Sequence, residues 1–231
     1  MARDSKSDQI YAQLRDDILT GSLRPGESLG VLGVADRFSA SRTPVRDAFL
    51  RLESDGLVSL IDRQGARVSP ISIRSVRELF ELRILLESSA IRHVAEAAVR
   101  DDKIRRVFVD LAHAFGALAG QAPSPQRRDQ FYTTAEAFDE AVITHTRNQH
   151  LSRIVNELRP HIARLRFVAH SPNRLEPALS EHLTMCRAIV DGDAEGAAAA
   201  CSEHLDNTQQ AVLANVLNLD GLDVPVDLIS R

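Results

Sequence analysis

The sequence predicts a mainly α protein in two parts: a group of short N-terminal helices closed by a β-hairpin, then an all-α antiparallel helical bundle. Three observations carry this. Apolar residues recur at helical spacing through most of the chain. The two short β-favouring runs, "LVSLI" and "ARVS", both fall between residues 57 and 69. Ala, Leu, Val and Arg dominate, tryptophan is absent and aromatics make up 4% of residues, a composition that favours helices with aliphatic cores.

Ile10, Tyr11, Leu14 and Ile18 follow Ser7, which is expected to cap the first helix, and Gly21 and Pro25 close it. A short second helix fits Val31–Phe38, and "SAS" turns the chain into a third that begins near Ser41–Pro44. Proline is tolerated there because the first turn of a helix leaves its backbone N–H groups without helical partners. "DRQG" between the β-favouring runs reads as a hairpin tip. "SPIS" (69–72) then breaks the chain and lets Ser72 cap the next helix, giving expected domains of 1–70 and 71–231.

Beyond residue 73 no segment reads as a strand. Breaks near Arg100–Asp101, at "GQAPSPQ" (120–126), near Asn148, at "HSPNRLEP" (170–177) and at "DGDAEG" (191–196) divide the region. About six helices of ordinary length result, and "LDGLDVPVDLISR" reads as a tail.

With 44% hydrophobic and 26% charged residues the chain has an ordinary globular composition. Its formal net charge of -4 gives no global basic field, so contact with nucleic acid would need a local patch. Two cysteines, Cys186 and Cys201, are too few for a secreted disulfide scaffold. No apolar run approaches the roughly 18 residues of a membrane span, and "MARDSKSDQIYAQL" has no signal-peptide pattern. The expectation is a soluble cytoplasmic protein with no membrane partner.

In the third helix Val45, Ala48, Phe49 and Leu52 form the i, i+3, i+4, i+7 stripe that must be buried. Arg42 and Arg46 project from another side with Thr43 beside them, and Arg51 is expected to pair with Asp47 one turn earlier. Helix, turn, helix and hairpin make the winged helix-turn-helix plan, in which the N-terminal residues of the second helix of the motif enter the major groove. Arginine can grip guanine O6 and N7, or a phosphate, with its planar fork.

"SRTPVRDAFLRLESDGLV", with "LRPGESL" upstream and "GARV" in the wing, resembles the signature of the GntR family of bacterial transcription regulators over about residues 7–70. The resemblance implies DNA contacts from Arg42, Thr43 and Arg46, and a wing tip at Arg63–Gly65 that reaches a minor groove. One departure is the start of the second helix, where Gly30, Val31 and Leu32 stand in place of the usual polar cap and DNA-facing residue. "VRELFELRILLESSAIRHVA", "FDEAVITHTRN" and "SEHLTMCRAIVDGDAEGAAAACSEHL" extend the likeness to the FadR subfamily, whose FCD-type effector domain is an all-helical bundle.

Arg83 shares a helical face with Val76, Phe80, Glu87, Ala90 and Val94. A guanidinium there needs a partner. Glu87 at i+4 is one candidate and an anionic, carboxylate-bearing effector is another; Asn148 is the second expected effector contact. A hairpin centred between residues 193 and 194 sets His182 level with His204, and Cys186 level with Cys201.

The resemblance adds that many FCD domains hold a divalent metal with one Asp and three His. Here the Asp and first His positions are Ala135 and Asp139, while His182 and His204 match the other two. Three arrangements are compatible: zinc, nickel or manganese on Asp139, His182 and His204; the same set helped by a cysteine; or a metal-free polar pocket. His93, His113 and His170 are expected to be hydrogen-bonded core residues.

The leading expectation is a homodimeric regulator of a palindromic DNA operator, by default a repressor released by a small carboxylate. A metal-dependent enzyme in the bundle is the rival, although no HExxH, nucleophile elbow or phosphate-binding glycine loop occurs. A DNA-binding protein with a purely structural bundle is the third reading.

Overall fold

In the computed structural model, residues 5–168, 174–218 and 226–227 are described. They divide into two compact units: residues 5–75 with 160–168, 214–218 and 226–227 in the first, and 76–159 with 174–213 in the second.

The first unit starts with α1 (Lys6–Leu19). Its cap is Ser5 rather than Ser7, because Asp8 three residues on returns a bond to the Ser5 backbone and completes a capping box. β1 (Ser28–Gly30), α2 (Val31–Arg37), α3 (Arg42–Ser54), β2 (Val58–Ile61) and β3 (Gly65–Val68) come next. The apolar stripes close on one core: Ile10, Leu14 and Ile18 from α1 meet Val45, Ala48, Phe49 and Leu52 from α3.

The hairpin forms where the β-favouring runs predict it, with Val58 opposite Val68 and Ile61 opposite Gly65. β1 is not legible in "SLG". It pairs antiparallel with the outer side of β3, so the sheet order is β1-β3-β2. Gly65 makes that pairing possible. Its φ of +131° lies outside the range of side-chain-bearing residues, and a Cβ would fall 2.1 Å from the Leu29 carbonyl oxygen.

Arg51 does not pair with Asp47. It lies 4.0 Å over the Tyr11 ring and donates to Asp8 at 2.7 Å, because packing α1 on α3 brings an aromatic face and a carboxylate within reach together. Tyr11 Oη in turn donates to Asp55 at 2.5 Å.

"SPIS" is not wholly a linker. Ile71–Ser72 forms β4, paired in parallel with β5 (Val226–Asp227), so the region beyond residue 73 does contain a short strand. Two residues are too few for the sequence alternation that marks a strand. Ser72 accepts from Ser75 N at 2.9 Å, as expected of a cap.

α4 (Ile73–Ala98), α5 (Asp102–Leu118), α6 (Pro125–His145), α7 (Gln149–Val168), α8 (Leu175–Asp191) and α9 (Ala194–Asn218) are the six long helices among the described residues. The predicted breaks near residues 100 and 148 fall between helices, and those at 120–126 and 191–196 contain helix junctions, with α6 and α9 beginning inside them at Pro125 and Ala194. Residues 170–173 of the expected break at 170–177 lie outside the described residues, and α8 already begins within it at Leu175. α7 carries Pro160 inside it. The helix changes unit at that residue, and beyond it Arg164 donates to the Ser69 carbonyl while His161 packs at Gly56. Burial draws the Arg164 pKa down to about 10. It also lowers the His161 pKa, an effect the Arg164 charge adds to.

In the second unit α5 packs on α6 and α8. Phe108, Phe115, Phe131 and Phe138 are all buried. Phe108 meets Phe138 edge-on at 5.8 Å and Phe115 meets Phe138 at 6.5 Å. Gly192, in the left-handed conformation that ends α8, and Asp193, which accepts from Gly196 N, turn the chain into α9.

Candidate functional site

In the first unit the burial of Val45, Ala48, Phe49 and Leu52 fixes the orientation of α3, leaving Arg42, Thr43 and Arg46 exposed near its N-terminal end. Ser41 precedes the helix with no side-chain capping bond, so first-turn N–H groups and two guanidinium groups share one end of it. Gly30 likewise starts α2 without a side-chain cap, and Leu32 behind it is 59% exposed. At the tip of the β2–β3 hairpin, Arg63 takes a left-handed φ of +59° and holds its side chain 91% exposed. The residues exposed at the start of α3 and at the hairpin tip are thus cations and donors, the chemistry that meets phosphates and base edges.

In the second unit the site residues are enclosed. Arg83 is 7% exposed, donates through Nε to Glu87 Oε1 at 2.8 Å and lies 4.8 Å over the Phe80 ring. Burial opposes its charge, but Glu87, with Asp139 adding to it, outweighs that and leaves the pKa above the ordinary arginine value. Of the two partners the sequence allows, the structure thus contains Glu87.

His182 lies among Phe115, Phe131 and Phe138, with ring centroids 4.8, 5.5 and 5.4 Å away. The hairpin geometry read from "DGDAEG" brings His204 against it, the two imidazoles 4.6 Å apart and edge to face. His182 Nδ1 is 2.7 Å from the Ala178 carbonyl, which places the proton on Nδ1 and makes Nε2 the acceptor nitrogen. His204 Nδ1 is 2.6 Å from Glu181 Oε2.

Glu181 also accepts from both terminal nitrogens of Arg174 and from Asn207. Burial works to raise the Glu181 pKa, but His204 and Arg174 overcome it and hold it at about 2. Arg174 caps α8 two turns before Glu181, but the His204 and Asn207 contacts of Glu181 come from α9, which spacing along one helix does not record.

Two imidazoles anchored at Nδ1 are half of a metal-binding set. The other half does not assemble: among the described residues no three His, Cys, Asp or Glu side chains are grouped to hold a metal ion. Asp139 is not gathered with His182 and His204 into such a group. Position 135 holds a buried alanine, Asp139 acts on Arg83 and Cys201, and His204 is drawn to Glu181. Burial pushes the Cys186 thiol up to about 12 and raises Cys201 as well, so both behave as small apolar residues.

Three other expectations change. Asn148 is an exposed cap, its Oδ1 accepting from the N–H groups of His150 and Leu151 at the start of α7. Its amide serves that helix end rather than a buried pocket. His113 is exposed on α5, and the buried Nδ1 of His93 has no hydrogen-bond partner, so neither is a satisfied core histidine. His170 lies outside the described residues.

Similarity to known proteins agrees with both halves of this arrangement. Residues 6–68 match the bacterial regulatory proteins of the gntR family, and residues 78–207 match the FCD domain. The chain therefore belongs to the gntR family of regulators that carry an FCD domain, and it is a DNA-binding transcriptional regulator.

It is 26% identical over 190 residues to the uncharacterized HTH-type transcriptional regulator YdhC of Bacillus subtilis, covering 82% of this chain and 83% of that one. It is also 26% identical over 207 residues to the HTH-type transcriptional repressor RspR of Escherichia coli, covering 88% and 87%. Among solved structures, E. coli McbR/YncC shares the fold with a TM-score of 0.72 at 21% identity, over 94% of this chain and all of that one.

Proposed function

We propose that this regulator is a cytoplasmic homodimeric repressor that holds a palindromic operator and releases it when a small carboxylate binds in the bundle. Operator binding is assigned to residues 1–70 and effector binding and dimerisation to 71–231, of which 71–75, 160–168, 214–218 and 226–227 cluster with the first unit. The observation that carries the reading is the His182–His204 pair, two imidazoles in contact inside an aromatic wall in a domain appended to a DNA-binding head. A relative bearing the name of repressor supports the sign of regulation.

Operator contact is assigned to Arg42, Thr43 and Arg46, with Arg63 and Gly65 at the wing. Half-sites about one helical turn apart would suit two such heads. In the bundle Arg83 is engaged by Glu87, so a carboxylate reaches it only by exchange with Glu87. His182 and His204 are therefore the first contacts, while Asp139 acts on Arg83.

Zinc, nickel or manganese on Asp139, His182 and His204 would require Asp139 to leave the field of Arg83 and join the two imidazoles, and an ion held there would supply a Lewis acid. The chain's own residues fix both imidazole orientations through Ala178 and Glu181. Such a set could also support metal-assisted turnover; binding and release without turnover is the expected behaviour.

The test titrates a panel of di- and tricarboxylates into a complex of the full chain with its operator, with and without each ion. Release by one carboxylate, abolished in His182→Ala and His204→Ala, supports the reading. Operator affinity indifferent to every carboxylate and ion would leave the bundle a structural element, and sustained consumption of a carboxylate would return the enzyme reading.

A further inference from the structure

The outward face of α3 does not end at Arg46. At about 100° per residue, the buried stripe of Val45, Ala48, Phe49 and Leu52 sets the opposite side of the helix along Thr43, Asp47 and Leu50. Leu50 is 54% exposed, one of the few large apolar side chains so placed among the described residues. Asp47 is exposed too, because Arg51, its expected partner, is drawn away to Asp8 and the Tyr11 ring. The helix that meets a polyanion thus presents a carboxylate and an isobutyl group on its outermost ridge.

Neither residue type can bind a phosphate. A carboxylate is repelled by it, and leucine has no donor. Both have complements on base edges in the major groove: cytosine N4 donates to a carboxylate, and the thymine C5-methyl offers apolar contact. Reach is adequate, since Leu50 lies eight residues beyond Arg42, roughly 12 Å along the axis, comparable with the roughly 12 Å width of the groove.

We propose that Asp47 and Leu50 extend base readout past Arg42 and Arg46, Asp47 by accepting from a cytosine N4 amino group and Leu50 by packing on a neighbouring thymine methyl. The inference rests on α3 being the recognition helix. It assigns specificity to two residues outside the Arg-Thr-Arg set, and it makes Asp47 a filter as well, since its charge disfavours any register that faces it to a phosphate.

The experiment begins with selection of duplexes from a random library by the full wild-type chain, then by Asp47→Asn and Leu50→Ala. In the site selected by wild type, each thymine is replaced singly by deoxyuridine, which removes only the methyl group, and affinities are measured by fluorescence anisotropy. At one thymine the replacement is expected to weaken wild type about 4-fold, the worth of one buried methyl group, and to leave Leu50→Ala unchanged. Asp47→Asn is expected to exchange a cytosine preference next to that thymine for adenine, which an amide can bind in bidentate fashion.

Equal deoxyuridine losses for wild type and Leu50→Ala at every thymine, with an unchanged motif for Asp47→Asn, would overturn the proposal. Both residues are exposed, so unaltered melting temperatures confirm that the variants report contact rather than folding. Arg42→Ala and Arg46→Ala, run in parallel, separate this failure from a failure of the recognition-helix reading: both variants matching wild type would mean that α3 is not the recognition helix.

Discussion

In the DNA-binding head Arg42, Arg46 and Arg63 stand exposed around the start of α3 and the wing tip. In the bundle Arg83, Arg127 and Arg174 are wholly or largely enclosed, and a carboxylate meets each: Glu87, Glu176 and Glu181. The same side chain therefore does opposite things. An exposed guanidinium keeps its charge available for a polyanion. A buried one must be neutralised from within before any ligand arrives, so a bundle arginine can answer an effector only by giving up a partner.

That contrast can be broken in several ways. The largest effect is expected from separating a buried pair. Arg83→Ala, which strands Glu87, should lower the unfolding free energy by about 3–5 kcal/mol, whereas Arg83→Met combined with Glu87→Leu should recover most of it. Urea titrations of the three proteins decide this, and equal losses in the single and double variants would show that packing volume rather than charge holds the site.

Next comes the pH dependence of the bundle. A carboxyl held at about 2 against an ordinary 4.5 contributes on the order of 3 kcal/mol. Because the folded pKa is the depressed one, that stability is present above pH 4.5 and is lost as pH falls from 4.5 towards 2. Glu181→Gln should be less stable than wild type at neutral pH and should flatten the acid limb of a stability–pH curve measured by circular dichroism.

For the head, Arg42→Ala or Arg46→Ala should weaken operator binding by about 1–3 kcal/mol where the residue reads a base. The melting temperature should stay unchanged, the reverse of the Arg83 result. Salt-titrated anisotropy tells a base contact from a phosphate contact, since only the latter reduces the salt dependence. Smallest is the cap: Ser5→Ala should lower stability by about 1 kcal/mol with no effect on affinity at saturation, measurable by thermal unfolding.

Much of the fold is legible in the chain because it depends on local rules. The stripe Val45, Ala48, Phe49 and Leu52 and the helical face of Val76, Phe80, Arg83, Ala90 and Val94 reflect a 3.6-residue period and are buried as that period requires. The "DGDAEG" turn sets the level of His182 against His204 because two antiparallel helices count residues equally from their hairpin. β1 and the β4–β5 pair are invisible to such rules because strands of two or three residues owe their existence to a partner far along the chain.

Periodicity, capping and turn chemistry along the chain are enough to define the class of the molecule: a helical protein with an arginine-bearing recognition helix, a wing and an antiparallel bundle. Which charges meet is settled later, by packing in three dimensions. Arg51 goes to Asp8 instead of Asp47, Glu181 gathers Arg174 and His204, and Asp139 turns to the field of Arg83 rather than joining two imidazoles. The reason is that long side chains reach several partners at similar distance in sequence, and packing of the helices selects among them through burial and direction, which no spacing along a single helix records.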